Sequence, residues 1–167
     1  MQSQNKAGQV SFLGFMLALA LILSYVESLL PLTIGIPGVK LGLANLAVLL
    51  TLYAFGWKMA LELNVLRVVL SGFLFGNLVA ILYSMAGAIL SFGVMVILKK
   101  YHFRMSTVSI AGGVFHNLGQ LVVAICVVEN IHLLYYLPWL LVAGILTGAL
   151  IGIVSVSVYG YLKRFLH

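Results

Sequence analysis

The chain has 167 residues, of which 63% are hydrophobic and only 7% are charged, and its mean hydropathy is +1.20. Soluble domains are about 45–50% apolar and about 25% charged, so this composition predicts an integral membrane protein with one transmembrane domain over residues 1–167. The apolar segments leave no room for a nucleotide-binding loop, a metal-binding cluster or a soluble catalytic domain, and we expect neither a cofactor nor enzymatic activity. The net charge of +6 is typical of Lys and Arg kept on the cytoplasmic side of a membrane, and we do not expect nucleic-acid binding.

Six apolar segments predict an all-α, polytopic bundle of six transmembrane helices. The first, residues 12–30, is long enough to cross a bilayer and has no clear small-residue cleavage site, so we expect it to be retained. The link at residues 34–46 contains Pro37 and Gly38 and must turn. The other helices are predicted at residues 41–56, 58–75, 78–98, 107–128 and 138–161.

The division of residues 57–98 into two helices rests on length. One helix over this stretch would measure about 63 Å, roughly twice the hydrocarbon thickness, so a reversal is predicted at Phe75-Gly76-Asn77. Six spans place both termini on one side, and with a cytoplasmic amino terminus seven of the nine basic residues fall inside. These seven are Lys6, Lys58, Lys99, Lys100, Arg104, Lys163 and Arg164. The agreement supports this topology because the helices were placed from hydropathy and turns alone.

Small residues recur every four positions on two of the predicted helices. They are Gly144, Gly148 and Gly152 on the sixth helix, and Gly14 with Ala18 and Ala20 with Ser24 on the first. Such stripes allow helix backbones to approach closely in lipid. Packing within one molecule and contact with a partner protein both stay open.

Arg67 is a cation deep inside the third predicted helix, about 15 Å from its start. A cation at such depth costs at least about 2.5–3.5 kcal/mol on insertion scales unless it is paired or hydrated. Asn64 and Ser71 lie three and four positions away on the same helix face, and Glu27 is a further candidate partner. A structural tie to a neighbouring helix and a contact with a ligand are both compatible with this pattern.

A second polar cluster lies in the fifth predicted helix. His116 and Gln120 are four positions apart on one face, next to Asn117, and Gly112 and Gly119 permit close backbone approach. A histidine that is satisfied within the core and a polar cavity for a ligand are both compatible with this cluster. The other histidines lie in loops or at the chain end, at no spacing suited to a metal site.

These polar residues together predict a binding pocket that opens toward the outer face. The predicted ligand-binding residues are Glu27, Lys40, Asn45, Arg67, Asn77, His116, Asn117 and Gln120. Two cations and an imidazole set against one carboxylate favour an amphipathic ligand with some anionic character.

Three motifs resemble a known bacterial family: LSYVE at residues 23–27, IPGVKLGLAN at 36–45 and GGVFHN at 112–117. Over nearly its whole length the chain is similar to the Gx transporter family, often labelled heptaprenyl diphosphate synthase component I. That family is in turn similar in size and layout to the substrate-binding S components of energy-coupling factor vitamin transporters.

The resemblance implies a multi-pass subunit of the bacterial cytoplasmic membrane that captures a small molecule from outside. The molecule would be vitamin-like or related to isoprenoids or quinones, and uptake would be driven by a transmembrane coupling subunit with two ATPases. In S components the docking motif consists of small residues on the first helix, which implies Gly14 with Ala18, or Ala20 with Ser24, as the docking positions.

Two alternatives follow from the family label: a membrane accessory subunit of prenyl diphosphate or quinone metabolism, and a subunit of a membrane electron-transfer system. Prenyl synthases bind diphosphate through Mg²⁺ held by Asp-rich motifs. This chain has no Asp and three widely separated Glu residues, which argues against a synthase activity of its own.

Overall fold

The computed structural model describes residues 6–29 and 42–166, with side chains for 8–29 and 42–164, and this part of the chain consists of helices joined by short turns. Its elements are α1 (Lys6–Leu29), α2 (Asn45–Phe55), α3 (Trp57–Phe75), α4 (Leu78–Lys100), α5 (Met105–Val128), a short 3₁₀ helix (Ile131–Tyr136) and α6 (Leu137–Leu166). The predicted all-α class is confirmed.

Four helical segments are long and apolar enough to cross a membrane. They are Gly8–Leu29, Leu78–Lys100, Met105–Val128 and Ile131–Arg164. Of the other two helices, α2 has only 11 residues and α3 carries three charged side chains among its 19 residues. The prediction of a membrane-embedded helical protein is thus confirmed at this level.

The predicted reversal between the third and fourth helices is confirmed. Helix α3 ends at Phe75, and α4 begins at Leu78. The predicted end of the fourth helix at residue 98, in contrast, lies too early, because α4 continues through Lys99 and Lys100. Cations in the last turn of a helix interact favourably with its dipole, so these two lysines stabilise the helix end.

Helix α2 is the central element of the described bundle. Ala47, Val48, Leu49, Leu50 and Leu52 are almost completely buried, so α2 is covered on all sides by protein. Its carboxyl end is closed by a side chain from α4, since the Lys99 ammonium donates a hydrogen bond to the Leu52 carbonyl oxygen. The same ammonium nitrogen lies 5.0 Å from the centre of the Tyr53 ring, in a cation–π contact.

Helix α5 packs between α4 and α6 through glycines. A Cβ atom added to Gly148 of α6 would lie 2.6 Å from the Ile110 Cα atom, and one added to Gly119 would lie 2.8 Å from the Ala86 carbonyl oxygen. Ser109 also donates a hydrogen bond of 2.7 Å to the Gly148 carbonyl oxygen. The small-residue stripe of α6 therefore packs within the molecule, against the backbone of α5.

Candidate ligand-binding site

Arg67 is 5% exposed and joins three helices. Its Nη2 donates a hydrogen bond of 2.8 Å to the Asn45 side-chain oxygen on α2, and its Nε donates one of 3.0 Å to the Asn64 side-chain oxygen. The Asn64 amide in turn donates to the Ala88 carbonyl oxygen of α4 at 3.1 Å. The predicted contact with Asn64 is confirmed, whereas Ser71 donates instead to the Val68 carbonyl oxygen.

The Glu27 carboxylate supplies negative charge to the same region. Glu27 is buried on α1, and its Oε1 atom accepts a hydrogen bond of 2.5 Å from the Gly42 backbone nitrogen. It also interacts electrostatically with Arg67, which offsets the burial of both charges. Gly42 adopts φ +81, a conformation that glycine takes without strain and that directs its N–H group to Glu27.

His116 lies between the turn at Gly42 and helix α4. A Cβ atom added to Gly42 would lie 3.7 Å from His116 Cδ2 and 3.0 Å from Asn45 Nδ2, so the imidazole and the Asn45 amide meet at this glycine. On the other side, a Cβ atom added to Gly87 would lie 3.0 Å from His116 Nδ1. The ring therefore fills the space between α2, α4 and α5.

Gln120 lies one helical turn beyond His116 and against the same turn of α4. A Cβ atom added to Gly87 would lie 3.0 Å from Gln120 Cγ and 3.0 Å from His116 Nδ1, so the two side chains meet at this glycine. His116 in turn lies beside Asn45, which accepts the hydrogen bond from Arg67. We call this group the polar centre: Glu27, Asn45, Asn64, Arg67, His116 and Gln120.

The structure brings five of the predicted ligand-binding residues together and separates others. Asn117, next to His116, points to α6 and donates a hydrogen bond of 2.9 Å to the Leu140 carbonyl oxygen. Asn77 is exposed at the amino terminus of α4, where its side-chain oxygen accepts a hydrogen bond of 2.8 Å from the Ala80 backbone nitrogen. That contact is an ordinary helix cap. Lys40 lies outside the described residues.

The two small-residue pairs of α1 differ in exposure. Gly14 and Ala18 lie on the exposed face of the helix, and in the described part of the chain no atom of another helix lies within 4 Å of a Cβ position on Gly14. Ala20 and Ser24 are buried within the bundle. A partner that docks on the outside of α1 would therefore meet the first pair.

Sequence reasoning left Asn64 and Ser84 out of the predicted set. Asn64 was recognised only as a neighbour of Arg67, although its position three residues earlier was sufficient to place it in the site. Ser84 is buried on α4. It lies between two contacts of α4 with α3, that of Ile81 with Gly72 and that of Ala88 with Asn64. Its alignment with the α3 face that carries Arg67 was visible only from the packing.

The polar centre combines charged, donor and acceptor groups within an apolar bundle. A guanidinium has five N–H donors, so the two asparagines leave further donors of Arg67 for Glu27 or another acceptor. Polar and ionisable groups at such positions mark binding sites or transport pathways in membrane proteins. The arrangement is suited to holding a polar molecule by hydrogen bonds.

A family model described as heptaprenyl diphosphate synthase component I matches residues 16–158, which is most of the chain. The match includes every residue of the polar centre. No curated protein and no solved structure matches the chain.

Proposed function

We propose that this chain, which belongs to the heptaprenyl diphosphate synthase component I family, is the substrate-binding subunit of a membrane transport system. Like an S component, it would capture a small molecule from outside and perform no chemistry itself. The observation that carries this proposal is the polar centre: Arg67 and Gln120 lie inside a strongly apolar bundle at positions that are expensive to maintain in lipid. A binding role accounts for both residues.

The proposed orientation is six spans with both termini in the cytoplasm of a bacterial cell, in its inner membrane. Seven of the nine basic residues then lie on the inner side. Arg67 and the turn at Gly42 lie toward the outer half, so a pocket at the polar centre would open outward.

Native mass spectrometry of the detergent-purified protein tests this function. We expect a discrete small molecule to stay bound to the wild-type protein and to be lost from Arg67→Ala and His116→Ala. Ser157→Ala is the matched control, because Ser157 is exposed and donates its hydrogen bond to the Ile153 carbonyl oxygen of its own helix. Wild-type protein that is empty in every preparation, and indifferent to both changes, would contradict the proposal.

Docking on a transmembrane coupling subunit with two ATPases is the second part of the proposal. Gly14 and Ala18 support it, since they form a small-residue patch on the exposed face of α1. We expect Ala18→Trp to abolish co-purification of an ATPase with the tagged protein from its native membranes. Val122→Trp, an equally lipid-accessible change on α5, should leave co-purification intact. Equal behaviour of the two variants would argue against α1 as the docking face.

The family description favours one alternative, a membrane accessory subunit of prenyl diphosphate metabolism. The absence of Asp from the sequence means that a separate synthase would have to supply the magnesium site. Retention of a molecule by the isolated chain supports the transport function. Retention only in the presence of a prenyl synthase would support the accessory function.

A further inference from the structure

We propose that Gln120 recognises its ligand by the edge of an imide or lactam, in which an N–H donor stands beside a carbonyl acceptor. This inference rests on the proposed binding function and names the chemical class of the molecule bound. It assigns Gln120 a role in specificity, distinct from that of Arg67, which is already joined to the asparagines and to Glu27.

The first observation is the state of the Gln120 amide. Gln120 is 0% exposed, and within residues 8–29 and 42–164 neither its Nε2 nor its Oε1 atom has a hydrogen-bond partner. A buried donor or acceptor without a partner costs about 1–3 kcal/mol. Because both atoms of one amide are affected, the position needs a partner that supplies an acceptor and a donor together.

The second observation is that the stem of the Gln120 side chain packs against α4. A Cβ atom added to Gly87 would lie 3.0 Å from Gln120 Cγ and 2.6 Å from the His116 carbonyl oxygen, so the two helices leave little space there. A buried amide on a closely packed stem loses less conformational entropy when it binds a partner.

The third observation is a hydroxyl group on α4 that, like the Gln120 amide, is buried and unpaired among the described residues. Ser84 is buried, and its Oγ atom likewise has no hydrogen-bond partner among the described residues. It lies one helical turn before Gly87, which packs against Gln120, and before Ala88, which accepts the hydrogen bond from Asn64. Gln120 and Ser84, two of the buried residues with an unpaired group, thus both lie on the side of α4 and α5 that borders the polar centre.

The chemistry of these groups narrows the ligand class. An amide offers one donor and one acceptor side by side, and an imide or lactam edge satisfies both at once. A quinone or a prenyl diphosphate offers acceptors and would leave the Gln120 oxygen unpaired. Of the classes named by the family resemblance, the vitamin-like heterocycle is therefore favoured over the quinone or isoprenoid.

The test uses three neutral probes and ligand-observed NMR on the purified protein. The probes are phthalimide, N-methylphthalimide and 2,3-dimethyl-1,4-naphthoquinone. The first has an imide N–H between carbonyl groups, and the other two have acceptors only. We expect phthalimide to bind the wild-type protein about tenfold more tightly than either of the others, because without the N–H group the buried Gln120 oxygen is left unpaired.

Gln120→Met should abolish this preference and bring the three probes to similar affinity. Ser155→Ala is the matched control, because Ser155 is also 0% exposed and its Oγ atom is also unpaired among the described residues. Ser155 lies elsewhere, however, on α6 beyond Gly152, and Gly152 packs against Ser106 at the start of α5. This variant should keep the preference for phthalimide.

Equal binding of the three probes to the wild-type protein would overturn the inference. This is the result expected if a water molecule, and not a ligand, pairs with the Gln120 amide. Persistence of the preference in Gln120→Met, or binding of none of the probes, would also overturn the inference. If any of these results is obtained but mass spectrometry still shows a co-purified molecule, only the ligand class is refuted and the proposed transport function is retained. An empty protein that also binds no probe would refute both.

Discussion

Arg67→Met is expected to lower the free energy of unfolding by about 3–5 kcal/mol, the loss typical of removing one member of a buried charge pair. The change removes the donors on which Asn45 and Asn64 depend and leaves the Glu27 carboxylate without its compensating charge. Unfolding by sodium dodecyl sulfate in mixed micelles, followed by circular dichroism, measures the effect.

The double variant Glu27→Gln/Arg67→Met separates the charge from the hydrogen bonds. It removes both charges, so we expect it to be more stable than Arg67→Met alone by at least about 1 kcal/mol. Arg67→Lys keeps the charge but lacks the planar donors that reach two asparagines, and it should fall between the wild-type protein and Arg67→Met. A loss below about 1 kcal/mol for Arg67→Met would contradict the structural role of Arg67 in joining α2, α3 and α4.

Gly148→Val is expected to destabilise the protein by about 3 kcal/mol, the upper part of the range for overpacking. A Cβ atom at Gly148 would lie 2.6 Å from the Ile110 Cα atom and 2.8 Å from the Ser109 carbonyl oxygen, so backbone would have to move. Separation of the helices would also break the hydrogen bond from Ser109 to the Gly148 carbonyl oxygen. The same micelle unfolding assay measures the loss.

Gly160→Val is the control for Gly148→Val. Gly160 lies on the same helix, and among residues 8–29 and 42–164 no atom of another helix lies within 4 Å of its Cβ position. The two variants share the change in helix propensity but differ in packing, so only Gly148→Val should lose several kcal/mol. Similar losses for both would mean that the spacing of α5 and α6 adapts to the added side chain.

The sequence was sufficient to predict features that depend on neighbours along one helix. The contact of Arg67 with Asn64 follows from their spacing of three residues, and the reversal at Phe75-Gly76-Asn77 follows from the length of the apolar stretch. The contact and the reversal both depend on helix geometry, which can be calculated from the spacing of residues along the chain.

Features that depend on which helices contact each other could not be predicted from the sequence. Hydropathy does not distinguish apolar side chains that face lipid from those that face protein, so α2 was predicted as an ordinary span and not as the buried central helix. The cluster at residues 112–120 was likewise interpreted as one cavity. Adjacent residues on a helix point about 100° apart, and His116 and Asn117 accordingly contact different neighbours, α4 and α6.

The glycine contacts of α5 also divide the molecule mechanically. At Gly113 and Gly148 helix α5 meets α6 backbone to backbone, and at Gly119 it meets α4 in the same way. Helices α1, α2 and α3 are held to this unit largely by side chains, such as Asn64 and Lys99, which change conformation at lower cost. The polar centre takes His116 and Gln120 from the stiff half and Glu27, Asn45, Asn64 and Arg67 from the compliant half. The polar centre therefore lies at the interface between the two groups of helices, where their relative movement costs the least free energy.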